Sequence, residues 1–401
     1  MPGVPDCHRS TYGSRAPRRA RARGTRFVAW ALALGLLAPV GRGGAAWTSG
    51  AEAREGSPRA ISREPLESRL RRRRAIERGC AFIARNQEDL GGTFGDVNGV
   101  VAITSLCVLA LMANGSSDHR GPYREQVRKG IDFLLARSEA PKSDRDPPGY
   151  IVDGQDQTSR MHGHGFATLA LACALGTSER DRSARIRKAL EGAIDCIVKA
   201  QATTGGFGYE PRPDNDHEGS VTVCVAQGLR AARDTGLHVD SRVIRAGLRY
   251  LEKSQNDEGG FNYSLTRQNS TYALTAAALS SFFLYGRYED GADTRISRGL
   301  KYLREAIDKG QGADQPWYYY GHFYAAWALY QWDGGTWEVR RGNEWATWQD
   351  EIYPHMMARQ LEGDGSFEPE AGRHDYGPLL STAFAVLTLS IPDEGLPIFQ
   401  R

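Results

Sequence analysis

The sequence predicts an all-α protein, an (α/α)6 barrel in which six outer and six inner helices alternate to close a toroid. Three observations predict it. One turn is written four times in the 401 residues, as "NQEDLGGTF" (86–94), "AQATTGGF" (200–207), "SQNDEGGFNYS" (254–264) and "RQLEGDGSF" (359–367). Its glutamines are spaced by one period or two: 54 residues from Gln201 to Gln255, 114 from Gln87 to Gln201 and 105 from Gln255 to Gln360. The runs flanking each turn also differ in kind. The one before is charged with apolar residues at helical spacing, as in Val243, Gly247, Tyr250 and Leu251, and the one after is apolar nearly all round.

The spacing implies two further copies, and they are present. "KGIDFLLARS" (129–138) and "RGLKYLREAI" (298–307) keep the glycine and the aromatic–Leu pair but lack the Gln and the Gly-Gly. Six copies of roughly 50–60 residues form a repeat architecture. The polar-faced helix of each copy belongs outside, and runs such as "VAITSLCVLALMA", "STYALTAAALSSFFL" and "LLSTAFAVLTLSI" belong inside. One glycine of each turn is expected in the αL conformation that stops the outer helix. Strand content is expected to be near zero.

In chain order, residues 1–46 read as a cleavable export signal. Seven arginines stand in the first 26 residues, the 14-residue apolar stretch "FVAWALALGLLAPV" follows, and the small-residue segment ends at Ala46. A retained N-terminal membrane anchor is the alternative. Cleavage removes eight arginines and one aspartate from 51 basic and 48 acidic residues. That leaves 43 against 47, a formal charge of −4, so the mature chain carries no signal for a nucleic-acid partner. Residues 47–75 read as a polar, Arg-rich linker into the helix start "RLRRRRAIERG", and 76–401 as the toroid. Cys80, Cys107, Cys173, Cys196 and Cys224 each lie in an apolar helical run without a CxxC partner, and they read as buried small hydrophobes.

The helix-to-turn phrase "AGLRYLEKSQNDEGGF" resembles the repeat of squalene cyclases and protein prenyltransferases, with Phe94, Phe207, Phe261 and Phe367 where that repeat often has Trp. The resemblance spans nearly the whole mature chain. It implies a brace, in which the Gln caps helix ends and the aromatic packs on the neighbouring copy. Chemistry is then expected elsewhere, where the inner helices start together at one mouth. The polar residues at those starts are Asn98, His162 and His164, then Asp214, Asp216 and His217, Asn269 and Tyr272, Trp317, Tyr320 and His322, and Asp375 and Tyr376. Helix caps alone would also place such residues there.

Squalene-hopene-type cyclases protonate an alkene from an Asp-rich DxDD motif at an inner-helix start, and the resemblance implies Asp214, Asp216 and His217 as its counterpart. Here His217 replaces the last Asp, and the chain is too short for those cyclases' second helical domain. Trp317, Tyr320, Tyr324 and Trp327 form a helical stripe that could line a cation-binding cavity or serve as core. The prenyltransferase Asp-x-Cys pair, the DDxxD of diphosphate ionisation and the Cys-Gly-Glu-Gln of thioester proteins are all missing, so no metal or cofactor is expected.

Three functions follow. One is an exported toroid that binds an isoprenoid or other apolar molecule, with or without transforming it, and association at a membrane surface is a further expectation. The second is a non-catalytic binding or scaffold module. The third is an α/α-barrel polysaccharide lyase or hydrolase, with Tyr272 or Tyr376 as base and Asn98 or His164 neutralising a carboxylate. The signal reading makes a direct prediction: intact-mass measurement of the secreted protein should find Trp47 at its N-terminus, and a chain retaining residues 1–46 would support the anchor.

Overall fold

Each repeat starts from a helix whose apolar positions fall on one side, and the turn that ends it dictates where the next helix goes. The computed structural model describes residues 64–400 except 90, 96–97, 141–142, 144–145, 158–159, 214–216, 289–293, 309–315, 334–337, 342–343 and 371–375. The export signal and most of the linker lie outside the described residues.

The outer helices are α1 (Leu66–Arg85), α3 (Arg124–Glu139), α5 (Arg180–Ala200), α7 (Ser241–Ser254), α9 (Arg295–Asp308) and α11 (Trp348–Ala358). The inner ones are α2 (Val100–Ala113), α4 (Arg160–Leu175), α6 (Gly219–Asp234), α8 (Tyr272–Leu284), α10 (Tyr318–Asp333) and α12 (Gly377–Ser390). Each inner helix packs on the next, and α12 packs on α2, which closes the ring. The two sequence-degenerate copies are real repeats: their first helices are α3 and α9. In α7 the expected face, Val243, Gly247, Tyr250 and Leu251, is buried, whereas in α2 nearly every residue is. The five cysteines among the described residues are free and buried.

Strands are confined to two small antiparallel pairs among the described residues, β1 (Phe207–Gly208) with β2 (His217–Glu218) and β3 (Glu338–Arg341) with β4 (Glu344–Thr347). The first pair belongs to the repeated turn itself. In the other three Gln-bearing turns the Gln and the Phe pair as isolated bridges.

The helical part begins before the 76 boundary drawn from sequence, because α1 starts at Leu66. The reason is Arg72, which sequence alone places on a solvated basic face. It is buried, with its guanidinium donating to Glu64 (3.0 Å), to Asp393 (3.0 Å) and to the Leu389 carbonyl (2.6 Å). A buried charge persists only when paired and hydrogen-bonded, and these partners join the first helix to the last segment of the chain.

The Gln side chain is the brace. Gln87 Nε2 donates to its own turn's Gly92 carbonyl and to the Gln126 carbonyl of α3, both at 2.9 Å. Gln201 does the same to Gly205 and Val243, and Gln255 to Gly259 and Arg295. Gln360 donates to Gly365 and to Ala75 of α1, which ties the last repeat to the first. The Phe N–H of each turn is caught by a threonine of its own inner helix: Phe94 by Thr104, Phe207 by Thr222, Phe261 by Thr275 and Phe367 by Thr382, at 2.9–3.1 Å. The copy after α3 lacks the Gln but keeps the plan, with Gly149 as its αL glycine and the Ile151 N–H bonded to His164 Nδ1 at 3.0 Å.

The αL glycine is set by contact as well as by φ. At Gly205 (φ 96°) a Cβ would strike the Ala246 carbonyl oxygen of the next outer helix, and Gly92, Gly149, Gly259 and Gly365 stand the same way against neighbouring carbonyls. By contrast Gly236 has φ 85° with open space around it. Gly236→Ala should therefore cost only the αL penalty, about 1–2 kcal/mol. Gly205→Ala adds a backbone collision and should cost about 3 kcal/mol or more in urea unfolding. Equal costs would contradict the brace geometry.

Candidate ligand cavity at the inner-helix mouth

Because every inner helix begins just after a turn, the six N-termini face one end of the barrel. A cavity of about 280 Å³ opens there, and all six inner helices contribute to its lining. The deeper wall is apolar: Ile103 and Leu106 of α2, Phe166 of α4, and Leu380 and Phe384 of α12 lie one to two turns into their helices. Nearer the mouth stand Tyr209, Tyr263, Trp317, Tyr319, Tyr320 and Tyr376, with polar atoms from His162, Ser220, Asn269, Thr271, Ser381 and Glu370. No Arg or Lys is among the described lining residues.

Six partial positive helix ends at one mouth favour negative charge and acceptor oxygens beside them. Two carboxylates supply these, Glu218 buried and Glu370 half-buried. Glu218 caps α6, accepting from the Ser220 N–H (2.8 Å), the Val221 N–H (2.8 Å) and the Ser220 hydroxyl (2.7 Å). Burial pushes its pKa up, and those donors pull the other way. Glu370 accepts the Tyr319 N–H of α10 at 3.1 Å. Burial raises its pKa too, opposed by the N–H groups of Tyr319, Tyr318 and Trp317 and by the charge of Arg359. At α8 the cap is neutral, with Thr271 Oγ1 accepting from Leu274 N at 3.1 Å.

His162 sits beside the Glu218 cap, its Nε2 3.0 Å from Ser220 Oγ. Since the Ser220 hydrogen is given to Glu218, the Nε2–H of a neutral imidazole is the donor to Ser220. Burial lowers the His162 pKa to about 4, which keeps the ring neutral at ordinary pH. Tyr209 and Tyr263 hydrogen-bond through their hydroxyls at 2.5 Å. Among the described residues no group of three His, Cys, Asp or Glu side chains could hold a metal.

Of the residues expected from sequence, His162, Asn269, Trp317, Tyr320 and Tyr376 line the cavity. Others do not. Asn98 is exposed just before Gly99, which is in the wall. His164 is buried because it does the work of the repeat threonine, holding the Ile151 N–H. Tyr272 and His322 pair inside the helix layer, Tyr272 Oη lying 3.3 Å from His322 Nδ1 and accepting from Trp348 Nε1 at 3.3 Å. His217 belongs to β2 and packs edge-on against Tyr250. Asp214, Asp216 and Asp375 lie outside the described residues. Tyr209, Ser220, Tyr263, Tyr319 and Glu370 went unforeseen. A signal existed for the first tyrosine pair, since Tyr209 and Tyr263 both stand two residues after a turn Phe and are one 54-residue period apart.

No family model matches the sequence, and neither does any curated protein. Solved structures match in fold. A D-mannose isomerase is similar at 13% identity and TM-score 0.55, over 81% of this chain and 97% of that one. An unsaturated glucuronyl hydrolase from Bacillus sp. GL1 is similar at 14% identity and TM-score 0.54, over 81% and 97%. The type II terpene cyclase MstE from Scytonema reaches a TM-score of only 0.35 at 15% identity, over 80% and 98%, and that likeness carries no argument. At these identities the likeness shows the α/α toroid fold alone.

The buried imidazole sets a pH dependence. Between its unfolded pKa of 6.5 and its folded pKa of about 4, the unfolded chain takes up a proton that the folded one refuses. Stability contributed above pH 6.5 is lost as pH falls through that window, by about 3 kcal/mol in all. His162→Gln should flatten this loss, measured as urea midpoints at pH 7 and 4.5. Glu218 and Glu370, whose raised pKa values act in the opposite direction, cancel in the difference between the two proteins. Parallel curves would show that His162 is not buried neutral.

Proposed function

We propose that this protein binds, and acts on, a carbohydrate-sized ring molecule in the cavity at the mouth of the toroid. The observation that carries the reading is a wall to which all six inner helices contribute and in which aromatic rings stand among hydroxyl and amide groups from α6, α10, α12 and the turns beside the inner helices. A sugar ring offers an apolar C–H face and a rim of hydroxyls. Trp317 and Tyr320 suit the face, and Ser220, Asn269, Thr271 and the Tyr209–Tyr263 hydroxyl pair suit the rim. The fold likeness to a mannose isomerase and a glucuronyl hydrolase supports this by analogy. Glu370 and His162 supply the wall with a carboxyl and an imidazole beside its tyrosine hydroxyls, so proton transfer to or from the ring is the chemistry open to it. Of the lyase assignment, only Tyr376 is in the wall. Tyr272, Asn98 and His164 are not, which favours isomerisation or hydrolysis over lyase chemistry.

A second reading is the squalene-cyclase-like one, favoured by the Gln–Gly–Phe turn and by the apolar depth from Ile103 to Phe384. On it the ligand is an isoprenoid, with Asp214 and Asp216 as acids. Saturation-transfer NMR with D-mannose, cellobiose and farnesol separates the two. Saturable binding of a sugar, weakened about tenfold by Trp317→Ala, is the expected result. Binding of farnesol alone would move the assignment to the isoprenoid.

A further inference from the structure

The chemistry of the wall is one-sided. Eight of its residues are aromatic, one carries a carboxylate, and none of those described carries a positive charge. Arg359 lies over the Tyr318 ring, 4.2 Å from its centroid; neither residue is part of the lining, although the Arg359 charge acts on Glu370. Glu370 is fixed in place by its bond to the Tyr319 N–H, so its position does not depend on a ligand. Beside it Trp317 holds φ 62°, a conformation a bulky residue adopts only when its surroundings force it. In that conformation the Trp317 backbone N–H bonds to Glu370, and its indole belongs to the same lining. An aromatic face attracts a cation through its quadrupole, most strongly for Trp and when the site is desolvated. A fixed carboxylate within the same cavity adds to that attraction.

We propose that the cavity selects a small organic cation, an amine or quaternary ammonium enclosed by the rings of Trp317, Tyr319, Tyr320 and Tyr376 with Glu370 as its counter-charge. The inference rests on the cavity assigned above and adds the charge of its ligand. For a sugar ligand it means an amino sugar rather than a neutral or acidic one. Neutral His162 fits the same preference, since a protonated imidazole in the wall would oppose it.

The test is isothermal titration at low ionic strength with two matched pairs: D-glucosamine against N-acetyl-D-glucosamine, and choline against its uncharged isostere 3,3-dimethylbutan-1-ol. The cation of at least one pair should bind about 5-fold or more tightly than its neutral partner. Glu370→Gln, which keeps an acceptor for the Tyr319 N–H, should bring that ratio close to one. Tyr376→Leu, whose side chain makes no capping bond to α12, should reduce it several-fold and carries the test if Glu370→Gln fails to fold. Preference within the choline pair with neither sugar bound would uphold the charge inference and remove the carbohydrate reading. Equal binding within both pairs, no binding of any probe, or a preference unchanged in both variants would overturn it.

Discussion

A side-chain amide with two hydrogens, written four times, braces four of this toroid's six junctions. Each brace glutamine spends both on carbonyls, one in its own turn and one in the next outer helix. Two carbonyls both accept and cannot bond to each other, so a donor must stand between them, and a buried carbonyl left unpaired costs about 1–3 kcal/mol. The amide therefore satisfies the turn carbonyl and adds a second bond to a carbonyl within the next outer helix, which ties successive repeats together. The αL glycine pressing on the next helix and the threonine catching the Phe N–H fix the same junction from two other directions. Gln360 then has only α1 to bond to, and the ring closes.

The mouth follows from that closure. Turning every inner helix the same way gathers six N-termini at one end, an arrangement that needs acceptors. Glu218, buried, and Glu370, half-buried, are held at helix starts for this reason, and as caps they are structural groups first. The same requirement furnishes the cavity with fixed negative charge in an aromatic wall. On the proposed reading, fold and ligand preference are linked by helix electrostatics. Arg72, Glu64 and Asp393 secure the join between the first helix and the last segment by the same logic of paired burial.

The architecture was legible because the junction uses the same residues each time: a Gln, an αL glycine and a Phe at a 54-residue step leave a mark in sequence. The copy after α3 was harder to read, since Gly149 and Ile151 do the same work without the Gln and after a longer loop. That is also why His164 looked like a ligand-binding residue. A polar residue near the start of an inner helix can face the cavity or hold the turn, and one helical step decides between them. Tyr272 and His322 were misplaced by the same ambiguity, whereas His162 and Tyr320 face the other way. Glu370 was invisible because its partner, the α10 N-terminus, lies 51 residues before it in sequence. The Tyr209–Tyr263 contact could have been anticipated by comparing the residue two beyond each Phe, as the repeat aligns them.

The claim that the braces act as one ring is best tested by hydrogen exchange at the amides of Phe94, Phe207, Phe261 and Phe367, each bonded to its inner-helix threonine. If closure makes the toroid cooperative, all four should exchange only through global unfolding, with the same free energy, including Phe367 at the junction of last repeat and first. Faster exchange at Phe367, at a free energy well below the other three, would mean that the ring opens at its seam and that the mouth is not held as one unit.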